Sequence, residues 1–202
     1  MTVRELIQHL SVKHQEGGSQ GFIQLEFETN RINNSLIQLL ELYKIDSEKF
    51  ILDIDEHSVS DILQEVKAQQ NPLLQLNNIK FTIECPKNLY CYCDDSHICN
   101  ALISILNNAQ RYTDTQIRLS AYKNQQYMIF CIEDDGTGYP DHLLSLDQPK
   151  KTGSDWIAGS TGLGLYFVST IAALHATTNT KGFIKIDNKS DFGGARFRLF
   201  LP

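Results

Sequence analysis

The sequence predicts an α+β domain with an N-terminal helical hairpin in front of it. Apolar positions from residue 22 to residue 43 follow one another at steps of three and four, which is the spacing of one helix face. After residue 46, short segments that alternate between apolar and polar residues are typical of strands, and they are interleaved with helical patterns. We therefore expect a hairpin over residues 1–46 and a second domain over residues 47–202.

The composition limits the functions open to the chain. It has 202 residues, of which 42% are hydrophobic, enough for a substantial core. Its 18 basic and 24 acidic side chains give a net charge of −6, which argues against nucleic-acid binding. There is neither an apolar stretch of about 18 residues nor a secretory signal, so we expect no membrane segment in this chain. Five cysteines, an odd number, favour reduced thiols and a cytoplasmic location.

The longer helix of the predicted hairpin carries a heptad stripe. Its positions are Phe22, Leu25, Thr29, Ile32, Leu36, Leu39 and Tyr43. A shorter stripe over residues 3–10 precedes it, and the glycine-rich residues 17–21 separate the two. A stripe of this kind needs partner helices in water, so it predicts a homodimer through a four-helix bundle. The first helix is too short to cover the second, which indicates that the hairpin is incomplete in this chain.

The elements of the second domain follow from periodicity. Strands are expected at residues 50–54, 79–84, 115–122, 128–132, 183–186 and 195–201. The uninterrupted apolar run of residues 128–132 predicts a buried central strand. Helices are expected over residues 94–112 and 162–175, and after Ser58 or Ser60, whose hydroxyls are suited to cap a helix. We expect Pro72 to bend or restart this first helix.

The first candidate functional motif is the helix end at residues 106–113, where Asn107 and Asn108 stand among apolar neighbours. Asparagine favours caps and turns over helix interiors, so two adjacent amides require an explanation. An amide oxygen is a suitable ligand for Mg²⁺ in the company of phosphates, and Arg111 is suited to pair with a phosphate. The alternative is an ordinary polar helix face.

The second motif, residues 133–140, directly follows the predicted central strand. It places Asp134 at the strand end, followed by Gly136 and Gly138, which allow backbone to approach a ligand closely. The carboxylate is suited to accept a hydrogen bond from an exocyclic amine. The alternative is a simple turn, because Asp-Gly is common in turns.

The third motif is the glycine-rich segment of residues 159–165 at a predicted helix start. Free N–H groups and the helix dipole favour an anion at such a position. The segment is not a Walker phosphate loop, because no Gly-Lys-Ser or Gly-Lys-Thr follows it. It is not a dinucleotide fingerprint either, because no strand closely precedes it.

In this order, the three motifs and the closing Gly-Gly-Ala-Arg-Phe-Arg-Leu-Phe-Leu-Pro segment resemble the ATP-binding domain of sensor histidine kinases. That domain belongs to the wider GHKL group of ATPases, which includes gyrase, Hsp90 and MutL. The resemblance covers residues 49–202 and implies a two-layer α/β sandwich, the histidine-kinase-like ATPase fold. The hairpin resembles the dimerisation and phosphotransfer domain of the same kinases.

The resemblance implies a role for each matching residue. Asn108 resembles the asparagine that holds Mg²⁺ against the phosphates of ATP, and Asp134 resembles the carboxylate that binds the adenine amine. Arg111 and Tyr112 resemble the basic and aromatic residues next to the nucleotide, and residues 139–158 resemble its lid. The two glycine boxes are matched by Gly136, Gly138, Gly162, Leu163 and Gly164.

Two features depart from the family pattern. Ser104 stands where the kinases have an asparagine and related ATPases have a glutamate that activates water, which argues against ATP hydrolysis as the purpose. The kinases carry their phosphoacceptor histidine directly before an acidic residue, whereas Leu10 follows His9 and Gln15 follows His14. Neither histidine matches, so no catalytic residue is assigned and the phosphoacceptor is expected outside this chain.

The expected function is that of the ATP-binding catalytic region of a two-component sensor histidine kinase. With ATP and Mg²⁺ bound, the γ-phosphoryl group would pass to a histidine and then to the receiver domain of a response regulator. We expect this region in the cytoplasm, alone or as the cytoplasmic part of a larger sensor. One alternative is a non-catalytic dimeric phosphotransfer or scaffold module, which the nucleotide boxes disfavour. A second is a serine kinase of the anti-sigma type, which lacks such a hairpin.

Overall fold

The structure is a computed structural model that describes residues 19–47, 50–144 and 163–202. The predicted first hairpin helix, His9, His14, most of the predicted lid and Gly162 lie outside these residues. The helices are α1 (Ser19–Asp46), α2 (Val59–Leu76), α3 (Asp95–Tyr112), α4 (Asp141–Leu144) and α5 (Leu163–Leu174). The strands are β1 (Asp55–Ser58), β2 (Lys80–Glu84), β3 (Tyr90–Cys93), β4 (Gln116–Asn124), β5 (Tyr127–Asp134), β6 (Phe183–Asp187) and β7 (Arg196–Leu201).

The main sheet has five strands in the order β2-β4-β5-β7-β6. Strands β2 and β4 are parallel, and the remaining neighbours are antiparallel. The apolar run predicted as the central strand is β5, which pairs on both sides, and its residues from Met128 to Asp134 are all buried. Strand β4 directly follows α3, and its residue Ile117 pairs with Asp134 at the end of β5. The first motif, which ends α3, and the second, which ends β5, therefore lie near the same end of the sheet.

Helices α2, α3 and α5 cover one face of the sheet, with α3 between the other two. This arrangement confirms the predicted two-layer sandwich. The packing is apolar, as expected from the hydrophobic periodicity of the helices and strands. Its fully buried members include Leu63, Val66, Ile98, Leu102, Ile105, Ile117, Leu119, Phe130, Ile132, Phe167, Val168, Phe197 and Leu199.

The other face of the sheet is covered by paired charges. Arg118, Glu133, Arg196 and Asp187 lie side by side across four neighbouring strands. The Arg118 Nη2 atom donates to Glu133 Oε2 at 2.6 Å, and the Arg196 Nε atom donates to Asp187 Oδ1 at 2.9 Å. Alternating opposite charges across strands allow this face to be polar without leaving these charges unpaired.

Two helix starts depend on side-chain caps. The hydroxyl of Ser58 accepts a hydrogen bond from Asp61 N, which confirms one of the two predicted caps of α2. Asp94 caps α3 by accepting from His97 N at 3.1 Å. Helix α2 continues through Pro72 from Val59 to Leu76, so the expectation that the helix restarts at this proline is wrong, and a bend there stays a prediction. Burial of apolar residues on both sides of the proline outweighs the one backbone hydrogen bond that it cannot make.

The strand predicted at residues 50–54 is also wrong, because this segment forms no strand. Its residues connect α1 to the domain: Phe50 packs edge-on against the ring of His97, and Asp53 N donates to Asp94 Oδ2 at 3.0 Å. The strand begins only at Asp55 and pairs with β3 in a separate two-stranded sheet. In this segment Phe50 packs on the domain, whereas Ile51 is 90% exposed, so its apolar residues do not reflect a buried strand.

The cysteines and helices of the described residues agree with the compositional expectations. All five cysteines are free thiols, and Cys91, Cys93, Cys99 and Cys131 are buried. Among the described residues, none of the helices combines the length and apolarity that crossing a membrane requires.

Helix α1 has two different faces. Leu25, Ile32, Leu36, Leu39 and Tyr43 of the heptad stripe are between 53% and 71% exposed. On another side of the same helix, Gln38 and Leu42 are buried against the domain, where α1 packs on α2 and α5. Residues 19–21, predicted as part of the break before this helix, belong to the helix itself, which begins at Ser19, and residues 17–18 lie outside the described residues.

Candidate functional site

The three motifs converge on one cavity of about 420 Å³. It lies between the end of α3, the end of β5 and the start of α5, and the polar face of α1 forms another wall. The predicted site residues that line it are Asn108, Arg111, Tyr112, Asp134, Gly138 and Gly164. Gly136 lies behind this lining against the Tyr112 backbone, and Leu163 packs against the hydrophobic core.

Asp134 is held in one orientation by backbone N–H groups. Its Oδ1 atom accepts from Gly136 N at 2.9 Å and from Ala195 N at 3.1 Å. Both hydrogen bonds use the same oxygen, so Oδ2 is the oxygen placed to accept from a ligand in the cavity. Burial raises the pKa of Asp134, and the two N–H groups partly oppose this effect. A buried carboxylate whose first oxygen already accepts two backbone hydrogen bonds is suited to accept a hydrogen bond from an amine through its second oxygen.

The adjacent carboxylate, Asp135, has a different role. It accepts hydrogen bonds from the backbone N–H groups of Asp114, Thr115 and Gln116 at 3.0–3.1 Å. Burial opposes its ionisation, but the hydrogen bonds from Thr115 and its neighbours lower the pKa of Asp135. Asp135 therefore fixes the connection between α3 and β4. Of the two adjacent aspartates, Asp134 is the one that faces the cavity.

The loop before β7 is packed directly on the second motif. A Cβ atom on Gly194 would lie 2.5 Å from Asp134 Oδ1 and 2.5 Å from Gly136 N, so only glycine fits. This Gly-Gly-Ala segment is among the motifs that carry the family resemblance, but the sequence predicted no role for it at the site. Its contribution depends on a contact between segments about 60 residues apart in the sequence, which no local pattern reveals.

The start of the predicted lid is anchored by Asn188. Its Oδ1 atom accepts from Tyr139 N at 2.7 Å, and its Nδ2 atom donates to Tyr139 O at 2.8 Å. Gly138 has a φ of +81°, and a Cβ there would lie within 3 Å of the Asn188 amide. Glycine is thus required both by the left-handed backbone and by the close packing.

The first and third motifs meet where α5 begins. A Cβ atom on Gly164 would lie 2.7 Å from Ser104 Oγ and 3.5 Å from Asn108 Nδ2. The small residues Gly164 and Ser104 therefore let the N-terminal turn of α5 approach Asn108. The adjacent Asn107 also lines the cavity, and its buried Oδ1 atom has no hydrogen-bond partner among the described residues. This brings amide side chains and the first turn of a helix to one place.

A family model described as histidine kinase-, DNA gyrase B- and HSP90-like ATPase matches residues 93–202, more than half of the chain. The chain belongs to this family of ATPases. The match begins at the end of β3 and includes all three motifs. It confirms that residues 93–202 form an ATP-binding domain of the predicted GHKL group.

Relatives of this ATPase domain are sensor proteins. A probable sensor histidine kinase of Mycobacterium tuberculosis is 27% identical over 175 residues, which cover 87% of this chain and 44% of the relative. The sensor protein SrrB of Staphylococcus aureus is 27% identical over 183 residues, covering 87% of this chain and 30% of SrrB. The chain thus spans less than half the length of these relatives.

Solved histidine kinase structures share the fold of the ATPase domain. The Acinetobacter baumannii histidine kinase AdeS superposes with a TM-score of 0.67 at 19% identity, over 98% of this chain and 93% of that one. The catalytic domain of the histidine kinase ThkA gives a TM-score of 0.62 at 20% identity, over 75% of this chain and 96% of that one. Both confirm the predicted histidine-kinase-like fold.

One wall of the cavity in this ATPase was not predicted. Arg31, Asn34, Gln38 and Glu41 of α1 line it from the side opposite the heptad stripe. Their spacing of three, four and three residues places them on one helix face. The sequence predicted only a dimerisation role for α1, because the apolar stripe was the stronger periodic signal.

Replacing Gly194 with alanine is expected to weaken nucleotide binding to this ATPase domain. The added Cβ forces either Asp134 Oδ1 or the loop to move. Since a hydrogen bond to a charged group contributes about 1.5–3 kcal/mol, the affinity for ADP should fall by about tenfold or more in a calorimetric titration.

The adjacent Gly193→Ala is the control for this substitution. Gly193 has a φ of +93°, and a Cβ added there would meet no atom within 4 Å. Alanine at this position therefore costs about 1–2 kcal/mol of backbone strain without touching Asp134. It should lower the melting temperature and preserve ADP affinity. If Gly194→Ala leaves the ADP affinity unchanged, the proposed contact between Asp134 and the nucleotide is contradicted.

Proposed function

We propose that this chain binds ATP with Mg²⁺ and supplies the phosphoryl group for a two-component histidine kinase. The observation that carries the proposal is the convergence of Asp134, Asn108 and Gly164 on one cavity. An acceptor for an amine, an amide ligand for a cation and a helix start for phosphates are the three features that adenine, Mg²⁺ and triphosphate require. Membership of the ATPase family supports the same assignment.

The adenine base is assigned to the Asp134 side of the cavity. The exocyclic amine would donate to Asp134 Oδ2, because Oδ1 is already used by Gly136 N and Ala195 N. Tyr112 lies at the cavity with 36% of its surface exposed, which suits it to cover one side of the bound nucleotide. Base recognition thus rests on one oriented carboxylate and an aromatic neighbour.

The phosphates are assigned to the opposite side, near Asn108. Mg²⁺ prefers hard oxygen ligands and usually shares them with substrate phosphates, so the Asn108 amide oxygen is a suitable protein ligand. The buried Oδ1 atom of the adjacent Asn107, which has no hydrogen-bond partner among the described residues, would be available to a water molecule of the hydrated cation. A bound cation would supply positive charge next to the phosphates. The first turn of α5 and the Arg111 guanidinium, which line the cavity, would be the groups that hold the phosphate oxygens.

The acceptor of the phosphoryl group is proposed to be a histidine that this chain does not carry. His9 and His14 lack the acidic neighbour of the family motif and lie outside the described residues. From that histidine the group would pass to the receiver domain of a response regulator. Use of ATP and free thiols supports a cytoplasmic location for this region.

The same proposal includes a homodimer formed by α1. Its heptad stripe is more than half exposed over five apolar residues, while another face of the helix is occupied by the ATPase domain. A second copy of the stripe is a suitable cover for it, as in a four-helix bundle. The alternative function, a non-catalytic dimeric scaffold, would require this dimer without nucleotide binding.

A calorimetric titration of the chain with ATP, with and without Mg²⁺, tests the proposal directly. Saturable binding that Mg²⁺ strengthens is the expected result. The absence of binding at millimolar ATP would favour the scaffold function instead.

Asp134→Asn is expected to weaken ATP binding by about 10- to 100-fold. The asparagine oxygen can retain the hydrogen bonds from Gly136 N and Ala195 N, and its NH₂ group then faces the amine of adenine as a second donor. The control is Asp61→Asn, the same change at an exposed position of α2. Equal affinity of the two variants for ATP would contradict the adenine assignment.

Asn108→Ala is expected to remove the effect of Mg²⁺ on ATP affinity. The variant should bind ATP equally with and without the cation, because the protein ligand that joins the two is lost. Asn124→Ala, at an exposed end of β4, should behave as the wild type in the same titrations. If Mg²⁺ still strengthens ATP binding in Asn108→Ala, the cation is bound by a residue other than Asn108.

Leu36→Asp is expected to dissociate the dimer. A charge buried in the centre of the bundle without a partner costs several kcal/mol, so the dissociation constant should rise by at least about a hundredfold in analytical ultracentrifugation. Asn30→Asp adds the same charge to an exposed position outside the heptad stripe and should leave the dimer intact. A wild-type chain that stays monomeric at high concentration would refute the bundle.

A further inference from the structure

His97 connects α1 to the ATPase domain through two carboxylates. Its Nδ1 atom lies 2.7 Å from Oδ1 of Asp94, the residue that caps α3. Its Nε2 atom lies 3.5 Å from Oε1 of Glu41 on α1. The ring is further enclosed by Phe50, whose centroid is 5.0 Å away in an edge-on arrangement. Both ring nitrogens therefore face carboxylate oxygens inside a partly buried interface.

This geometry favours the imidazolium form of His97. A neutral imidazole has one N–H donor, so one of the two carboxylates would face a lone pair, whereas the imidazolium donates to both. The Glu41 carboxylate raises the pKa of His97 most, burial opposes this, and Asp94 raises it further. The first turn of a helix disfavours a cation, so the two carboxylates must also outweigh the dipole of α3.

Asp94 is organised to remain ionised in this arrangement. Burial opposes its ionisation, but hydrogen bonds from His97, Asp53 N and Ser96 Oγ lower the pKa of Asp94 to about 2. One carboxylate thus binds the α3 start, the segment of residues 50–54 and His97 at the same time. A change in the protonation of His97 therefore alters the hydrogen bonds of Asp94, which also hold the start of α3 and the segment that connects α1 to the domain.

The other titratable groups nearby are occupied by different partners. His175 at the end of α5 accepts from Asp94 N through Nε2 at 3.1 Å and donates through Nδ1 to a carbonyl oxygen of α5. Burial lowers the pKa of His175, which keeps this ring neutral. Asp95 lies 3.5 Å from His57 of β1. His97 is thus the histidine of this cluster that reaches α1.

We propose that His97 is a positioning residue that, in its protonated form, bridges Glu41 and Asp94 and so holds the polar face of α1 against the nucleotide cavity. Glu41 and Gln38 line that cavity, and the second carboxylate oxygen of Glu41 is buried without a hydrogen-bond partner in the part of the chain that the structure describes. When His97 loses one proton, the shorter contact to Asp94, 2.7 Å against 3.5 Å to Glu41, keeps the remaining N–H on Nδ1. Nε2 then presents a lone pair to Glu41, and α1 is freed from this wall. This docking of α1 does not depend on phosphoryl transfer.

The direction of the pH dependence follows from proton linkage. The docked state holds the His97 proton more tightly than an exposed imidazole does, because its pKa is raised there. The bridge is therefore fully formed below the ordinary histidine pKa of 6.5 and is lost as the pH rises through the raised value. Alkaline conditions should release α1 from the cavity wall.

An NMR titration of the nucleotide-free chain between about pH 5.5 and about pH 9 tests this proposal. The ring signal of His97 should titrate at a higher pH than that of an ordinary histidine, and the backbone amide signals of Gln38 and Leu42 should follow the same curve. In Glu41→Gln, the midpoint of His97 should move to lower pH, and the Gln38 and Leu42 amides should lose this titration. His97→Gln should abolish the amide titration as well.

His57→Gln is the matched control, since this histidine also faces a carboxylate, that of Asp95 on α3, rather than one on α1. It should leave the His97 midpoint and both amide curves unchanged. The proposal is overturned if Glu41→Gln leaves the His97 midpoint in place, or if the α1 amides of the wild type do not follow His97. Because no nucleotide is present, these outcomes are independent of any failure to bind ATP.

Discussion

The shared acceptor at Asp134 Oδ1 is the interaction on which the candidate site depends. It joins Gly136 N, two residues further along the chain, to Ala195 N, which precedes β7. The pair of hydrogen bonds orients the carboxylate, fixes the glycine turn after β5 and holds the loop before β7 in contact with both. Glycine at position 194 is a condition for this geometry, because any side chain would displace the acceptor. The cavity wall proposed to bind the base is therefore built by segments that meet at one atom.

The side of the cavity that is proposed to hold the phosphates depends on close packing of two helices. Gly164 and Ser104 are small enough for the start of α5 to approach Asn108, and the apolar faces of α3 and α5 bury residues such as Leu102 and Phe167 behind them. The serine at position 104, which departs from the family pattern, is part of this contact. The same packing that forms the core thus places the amide, the N–H groups of the helix start and the cavity together.

Helix α1 combines two surfaces with different chemistry. Its heptad stripe is exposed and apolar, whereas the side with Gln38 and Glu41 lies against the nucleotide cavity. If the proposed nucleotide site and the proposed dimer both hold, this helix contacts the first on one side and the second copy on another, and it is suited to connect the two. The proposed His97 bridge gives this connection a chemical basis in a single ionisable contact between α1 and α3.

The sequence by itself determined the local elements and the family. Periodicity identified the central strand β5, the helix α3 and the cap at Ser58, because these depend on residues that are neighbours along the chain. Three ordered motifs identified Asp134, Asn108 and Gly164, whose chemistry is local as well. Only the tertiary structure decided which distant groups complete the site: Ala195 on Asp134, Asn188 on Tyr139, and the α1 wall with Glu41 on His97. The tertiary structure also decided that residues 50–54 connect α1 to β1 without forming a strand. Helix α2 continues through Pro72, since packing against the domain outweighs the local preference of proline.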